Sequence, residues 1–158
     1  MKKISLFFIA MLFAACFNSD DDTIDCSTVL CAAAFNTLDI YLYNSDGSEN
    51  LLDNGTISGS SIVITDESNT TVEHSIEGPT NLGNYISIPV ATDRYGQKSF
   101  AVNFEGGNPF TLSFTTSLTD DFECCGPYTA LDNITISDYE LKPTVSEFLP
   151  LNLTIYID

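Results

Sequence analysis

The sequence predicts an all-β protein, an antiparallel two-sheet sandwich of about seven to nine strands. Three observations lead there. From residue 37 onward, apolar residues recur with period two, the spacing of strands that bury one face. Turn-forming clusters break that alternation at Asn44-Ser45-Asp46-Gly47, Asp53-Asn54-Gly55, Gly78-Pro79, Gly106-Gly107-Asn108-Pro109 and Gly126-Pro127. Beyond the amino-terminal segment no window sustains a helical period.

The strands follow in order. Leu38, Ile40 and Leu42 share one face of the first, with Asp39, Tyr41 and Tyr43 on the other. Two more are expected around residues 61–65 and 70–77. Ile86, Ile88 and Val90 alternate with Tyr85, Ser87 and Pro89; proline cannot donate to a ladder, so this strand is predicted at an edge or with a bulge. Phe100, Val102 and Phe104 mark the next, then Phe110, Leu112 and Phe114. Ile134 and Ile136, then Leu151, Leu153, Ile155 and Ile157, complete the set. The pattern is similar to the Ig-like and transthyretin-like sandwiches of secreted bacterial lipoproteins. That resemblance implies a fold and carries no functional residues with it.

Of 158 residues, 22 are acidic and 5 basic, a formal charge of −17. The length suits one domain plus a targeting segment, and 44% hydrophobic residues can supply a core. Such a charge excludes nucleic-acid binding, which needs clustered Lys and Arg against phosphates. It also disfavours electrostatic attachment to an anionic lipid surface.

Lys2 and Lys3 precede an apolar run over residues 4–15. As a helix that run spans about 18 Å, short of a bilayer core of about 30 Å, and reads as a secretory signal. Its end, Phe13-Ala14-Ala15-Cys16, resembles the bacterial lipobox, with Phe13 where Leu is usual. The resemblance implies cleavage after residue 15, lipidation of Cys16 and anchoring in the outer membrane. Asp20-Asp21-Asp22 resembles the surface-export signal of lipoproteins in some Gram-negative bacteria, implying a protein that faces the cell exterior. On charge alone the same residues make an extended, solvated tether. Asp22-Thr23-Ile24 resembles a short O-glycosylation signal centred on Thr23. The chain thus divides into a signal peptide (1–15), a lipidated cysteine with acidic tether (16–36) and a sandwich domain (37–158).

Five cysteines occur. With Cys16 given to lipid on that resemblance, Cys26, Cys31, Cys124 and Cys125 are an even set for an oxidising compartment. Neighbouring Cα atoms lie about 3.8 Å apart, whereas disulfides favour about 4.4–6.8 Å. The expected clamp therefore pairs Cys26 and Cys31 each with one of Cys124 and Cys125. Their spacing is poor for tetrahedral zinc, and no metal is expected.

His74 is the one histidine, predicted to be structural and to face inward or toward a seam. One histidine supports neither a Ser-His-Asp set nor a two-His metal site. Placing Gly47 sixth in an EF-hand loop puts Leu42 first, where a carboxylate is required. Asp120, Asp121 and Glu123 read as a solvated acidic loop, with calcium binding as the sharper alternative. Four Asn-x-Ser/Thr sequons, at Asn54, Asn69, Asn133 and Asn152, read as chance in a Thr- and Asn-rich β chain.

Tyr41, Tyr43, Tyr85 and Tyr156 point away from the apolar faces by alternation and form the candidate ligand patch. The absence of Trp argues against a typical sugar-stacking platform. The expectation is a non-catalytic, surface-anchored lipoprotein, without cofactor, whose sandwich binds an envelope protein or a glycan. The alternatives are a structural subunit of an envelope assembly and a carboxylate-based hydrolase. A deep pocket with paired carboxylates would favour the enzyme, a tyrosine-rich sheet face binding, and a bare carboxy-terminal edge strand assembly.

Overall fold

The computed structural model describes residues 26–29, 35–119, 124–142 and 148–158. The signal segment, Cys16, Asp20, Asp21, Asp22, Thr23, Cys31 and the acidic loop with Asp120, Asp121 and Glu123 lie outside them.

The predicted sandwich is there. Its strands are β1 (Thr37–Asn44), β2 (Val63–Asp66), β3 (Ser75–Thr80), β4 (Gly83–Pro89), β5 (Gly96–Asn103), β6 (Phe110–Thr119), β7 (Tyr128–Ile136), β8 (Glu140–Leu141) and β9 (Leu151–Ile157). They form a five-stranded sheet in the order β3-β4-β1-β9-β8 and a four-stranded sheet in the order β2-β5-β6-β7. Among the described residues no helix is long and apolar enough to cross a membrane.

Neighbouring strands pair antiparallel, with one departure. β1 and β9 run parallel, in register from Leu38↔Leu151 to Asn44↔Ile157. A parallel pair needs a long crossover, and the chain between these strands is most of the domain. No hairpin ties one to the other, so nothing imposes the antiparallel sense. The carboxy-terminal strand is consequently interior, between β1 and β8. β8 and Lys142 cover its outer edge from Thr154 to Tyr156.

The core is what the alternation promised. Leu38, Ile40, Leu42, Ile86, Ile88, Leu153 and Ile155 have no exposed surface. They meet Ile64, Val102, Phe110, Leu112 and Phe114 from the other sheet, with Phe100 and Phe114 edge-on at 5.5 Å between ring centroids. Each such side chain contributes about 1.5–3 kcal/mol on burial.

Four local expectations need correction. β4 is interior rather than an edge. Pro89 is tolerated at its end because Val90 N–H turns toward Asn36 O on the β1 side, which leaves Pro89 facing where β3 has not yet begun. The strand expected at 70–77 is divided between the sheets. Asp66 accepts hydrogen bonds from the backbone of Ser68 and Thr70, turning the chain so that Thr71 bridges Thr65 beside β2. The chain then crosses to the five-stranded sheet and starts β3 at Ser75. Gly78-Pro79 is not the turn; it lies within β3, where the register shifts, and the hairpin closes at Asn81-Leu82. Finally β7 starts earlier than Ile134 suggested, with Asn133 at φ 54° beside the register shift against β6.

Candidate functional site

The alternation that turns Leu38, Ile40 and Leu42 inward turns Asp39, Tyr41 and Tyr43 outward. Register then brings the predicted tyrosines together on the outer face of the five-stranded sheet. Tyr43 is paired directly with Tyr156, and Tyr85 with Glu77. Tyr41 and Tyr85 contact each other with ring centroids 5.1 Å apart and planes 33° from parallel.

The four do not play one role. Tyr41 keeps only 4% of its surface, and Thr80 Oγ1 donates to its hydroxyl at 3.4 Å. The Tyr43 hydroxyl donates to Leu82 O at 2.7 Å. Tyr85 is half-buried, and Tyr156 lies against Gly47, where a Cβ would come within 3.1 Å of its ring. Tyr41 and Tyr43 are thus tied down by the β3–β4 hairpin, while Tyr85 and Tyr156 offer the accessible surface.

That hairpin is fixed by Asn50, a buried polar residue. Its Nδ2 donates to Leu82 O and Asn84 O at 3.1 and 2.9 Å, and its Oδ1 accepts from the backbone of Leu52 and Asp53. Asp53 Oδ1 accepts in turn from Asn84 N–H. Gly83, at φ +88°, lets these side chains come close, because a Cβ there would collide with Asp53 and Asn50.

Between the tyrosines and the end of the sheet sits Asp39, half-buried, with Ser87 Oγ donating to it at 2.8 Å. Burial pushes its carboxyl above the ordinary range; hydrogen bonds from Ser87 and Thr37 oppose this, and the charge of Glu77 adds to it. The Tyr85 phenol is pushed up as well, by burial first and then by Asp39, Tyr41 and Glu77.

Beside Tyr156 the same face opens into a cleft of about 300 Å³, lined by Ser45, Asp138, Tyr139, Glu140, Tyr156 and Asp158. Both oxygen roles of Tyr139 are committed, since it donates to Asn108 O and accepts from Asn108 N–H. The cleft and Asp39 were not singled out in the sequence. Ser137-Asp138 is a turn signal, and Asp138 does adopt φ 67°, but only the fold brings it beside Tyr156.

The other predicted positions lie elsewhere. Cys26 and Cys124 form a disulfide with Cα atoms 5.1 Å apart, closing a separation of 98 residues. It ties the 3₁₀ turn at Cys26–Thr28 to the stretch preceding β7 and rules out a bond between neighbours Cys124 and Cys125. Cys125 is disulfide-bonded too. His74 is half-buried where the chain crosses between sheets. Among the described residues no group of three His, Cys, Asp or Glu is placed to hold a metal ion. Comparison with protein families, with curated proteins and with solved structures finds no match to this chain.

Proposed function

We propose that this is a surface-anchored lipoprotein whose sandwich is a non-catalytic binding module. The observation that carries this reading is the outer face of the five-stranded sheet. There Tyr85 and Tyr156 stand half-buried, beside Tyr41 and Tyr43, whose hydroxyls the β3–β4 hairpin holds. Rigid aromatic surface with a polar tip binds partners at low entropic cost. The lipobox-like Phe13-Ala14-Ala15-Cys16 supports outer-membrane anchoring, and Asp20-Asp21-Asp22 supports exposure to the exterior. A bond of Cys31 to Cys125 would complete the clamp expected from the sequence and hold the tether against the domain.

The test has two arms in intact cells. A Cys16→Ser precursor is expected to leave the detergent phase; unchanged partitioning refutes the anchor. A photo-crosslinking residue at Tyr85 is expected to yield adducts that the same residue at Ser113, on the opposite sheet, does not. Equal crosslinking, or none from either face, refutes the binding module.

The hydrolase reading is favoured by one feature, the cleft with Asp138, Glu140 and Asp158. Glycoside hydrolysis needs an acid and a second carboxylate across the scissile bond. Turnover of aryl glycosides that Glu140→Gln abolishes would establish it. The assembly reading rests on free strand edges, and β8 flanks the carboxy-terminal strand at Ile155 and Tyr156.

A further inference from the structure

The outer face of the five-stranded sheet combines two features that together specify a charge of ligand. Its accessible rings, Tyr85 and Tyr156, present negative π faces. Its carboxylates flank those rings: Asp39 and Glu77 beside Tyr85, and Glu140 paired with Tyr156. Among the described residues the one ion pair is Arg94–Asp93 at 3.9 Å, between side chains 90% and 74% exposed, away from this face. Lys142 reaches the same face at the outer edge, opposite Thr154, and forms no ion pair with another described residue. Asp39 therefore sits half-buried with hydroxyl donors and an acidic neighbour, and among the described residues no cation pairs with it.

We propose that this face docks an extended basic polypeptide segment, one Lys or Arg side chain lying over Tyr85 beside Asp39 and another entering the cleft beside Tyr156. The proposal rests on the binding-module reading and names its partner class. The spacing fits. Tyr85 and Tyr156 stand two strands apart with β1 between them and two residues out of step, about 12 Å by strand spacing and rise, and side chains four residues apart on an extended segment are about 13 Å apart. The cleft of about 300 Å³ accommodates a guanidinium or ammonium group among three carboxylates. A second copy of this chain does not suit the face, because a formal charge of −17 on each copy repels. A basic partner is drawn by the same charge.

The experiment uses the full-length protein in detergent and a fluorescein-labelled peptide alternating Arg with Ser, read by anisotropy at about 0.15 M salt. The peptide is expected to bind, and its Glu-for-Arg counterpart is not. Because any strongly acidic protein attracts Arg, two variants of equal charge decide. Asp39→Asn with Glu140→Gln should weaken binding about tenfold or more, while Asp93→Asn with Glu105→Gln should change it less than about threefold. Tyr85→Ala, which leaves every charge in place, should also weaken it. Equal loss in both charge variants reduces the attraction to general electrostatics and overturns the site. So does absence of binding up to about 1 mM peptide. If crosslinking from Tyr85 in cells persists while the Arg peptide is ignored, the basic partner is wrong and the binding module stands. If a neutral oligosaccharide binds instead, with loss in Tyr85→Ala, the ligand is a glycan and this proposal falls.

Discussion

The two outer faces of this sandwich are built by one chain over one core, yet their chemistry differs. On the five-stranded sheet, Tyr41, Tyr43, Tyr85 and Tyr156 stand among Asp39, Glu77 and Glu140. On the four-stranded sheet the outward positions are mostly hydroxyls and small groups, with Val63 opposite Asn103 and Gln97 opposite Thr115 as larger exceptions. Thr65 pairs with Ala101 and Ala101 with Thr111, while Ser99 pairs with Ser113 and Ser113 with Thr135. Tyr and Thr both favour strands, so propensity does not explain the difference. Packing does not explain it either, because the inner faces of both sheets are filled by the same Leu, Ile, Val and Phe types. Folding leaves the choice of residue open on both faces, and the aromatic and acidic one is the face on which the proposed binding rests.

The largest expected effect tests whether the interior really is shared. Leu153→Ala in β9 and Leu112→Ala in β6 each remove a side chain with no exposed surface. Each should lower unfolding free energy by about 2–5 kcal/mol, read from the denaturation midpoint at unchanged slope. Separate transitions, or a fall in slope in either variant, would show that the sheets do not share one cooperative core, and the comparison of faces would lose its premise.

The next effect separates the faces themselves. Tyr41→Ala should cost about 3 kcal/mol, because this outward tyrosine is buried under the hairpin and stacked on Tyr85. Ser113→Ala, its outward counterpart on the other sheet, should stay within about 0.5 kcal/mol of the parent. Asn50→Ala should fall between them, at about 2 kcal/mol, since it removes a donor to the carbonyls of Leu82 and Asn84 and the acceptor for the N–H groups of Leu52 and Asp53. It should also loosen Tyr43, whose hydroxyl shares the Leu82 carbonyl; faster amide exchange at residues 82–84 checks this. An Asn50 variant that is destabilised without faster exchange there would separate the hairpin from the tyrosine face.

How much of this was legible in the sequence depends on the range of the interaction. Period-two alternation is local, so the inward residues of β1, β4, β6 and β9 and the outward tyrosines of β1, β4 and β9 could be read directly. Sheet membership is not local. The stretch at 70–77 alternates as one strand, but the turn held by Asp66 and the crossing at His74 send its halves to different sheets. Gly78-Pro79 carries turn chemistry and yet lies inside β3, because a register shift absorbs it at an edge. Direction alone also misjudged Tyr41. It points away from the core as expected, but the twisting hairpin covers it, and only tertiary contacts such as Thr80 to Tyr41 reveal that. The cleft was invisible for the same reason, since Ser45, Glu140 and Asp158 are far apart in the chain. β8, two residues long, is too short to alternate.

The smallest effect probes the carboxyl beneath the aromatic face. Folding raises the Asp39 pKa through burial, with Ser87 and Thr37 opposing and Glu77 adding. A raised folded value means that the fold prefers the neutral acid. The contribution favours folding fully below the unfolded pKa of about 3.9 and is lost as pH rises through the higher folded value. At neutral pH Asp39 is thus a charge the fold would rather not hold. Asp39→Asn keeps an oxygen for the Ser87 hydroxyl at the same position and removes that charge. It should therefore stabilise the protein at pH 7, by about a few tenths of a kcal/mol, since water screens a half-exposed carboxyl. Denaturation midpoints of variant and parent should converge as pH falls below about 4. A gain that persists in acid would assign the effect to packing rather than charge. A loss at pH 7 would mean that the charged carboxylate is already compensated on this face, which would remove the need for a cation brought by a partner.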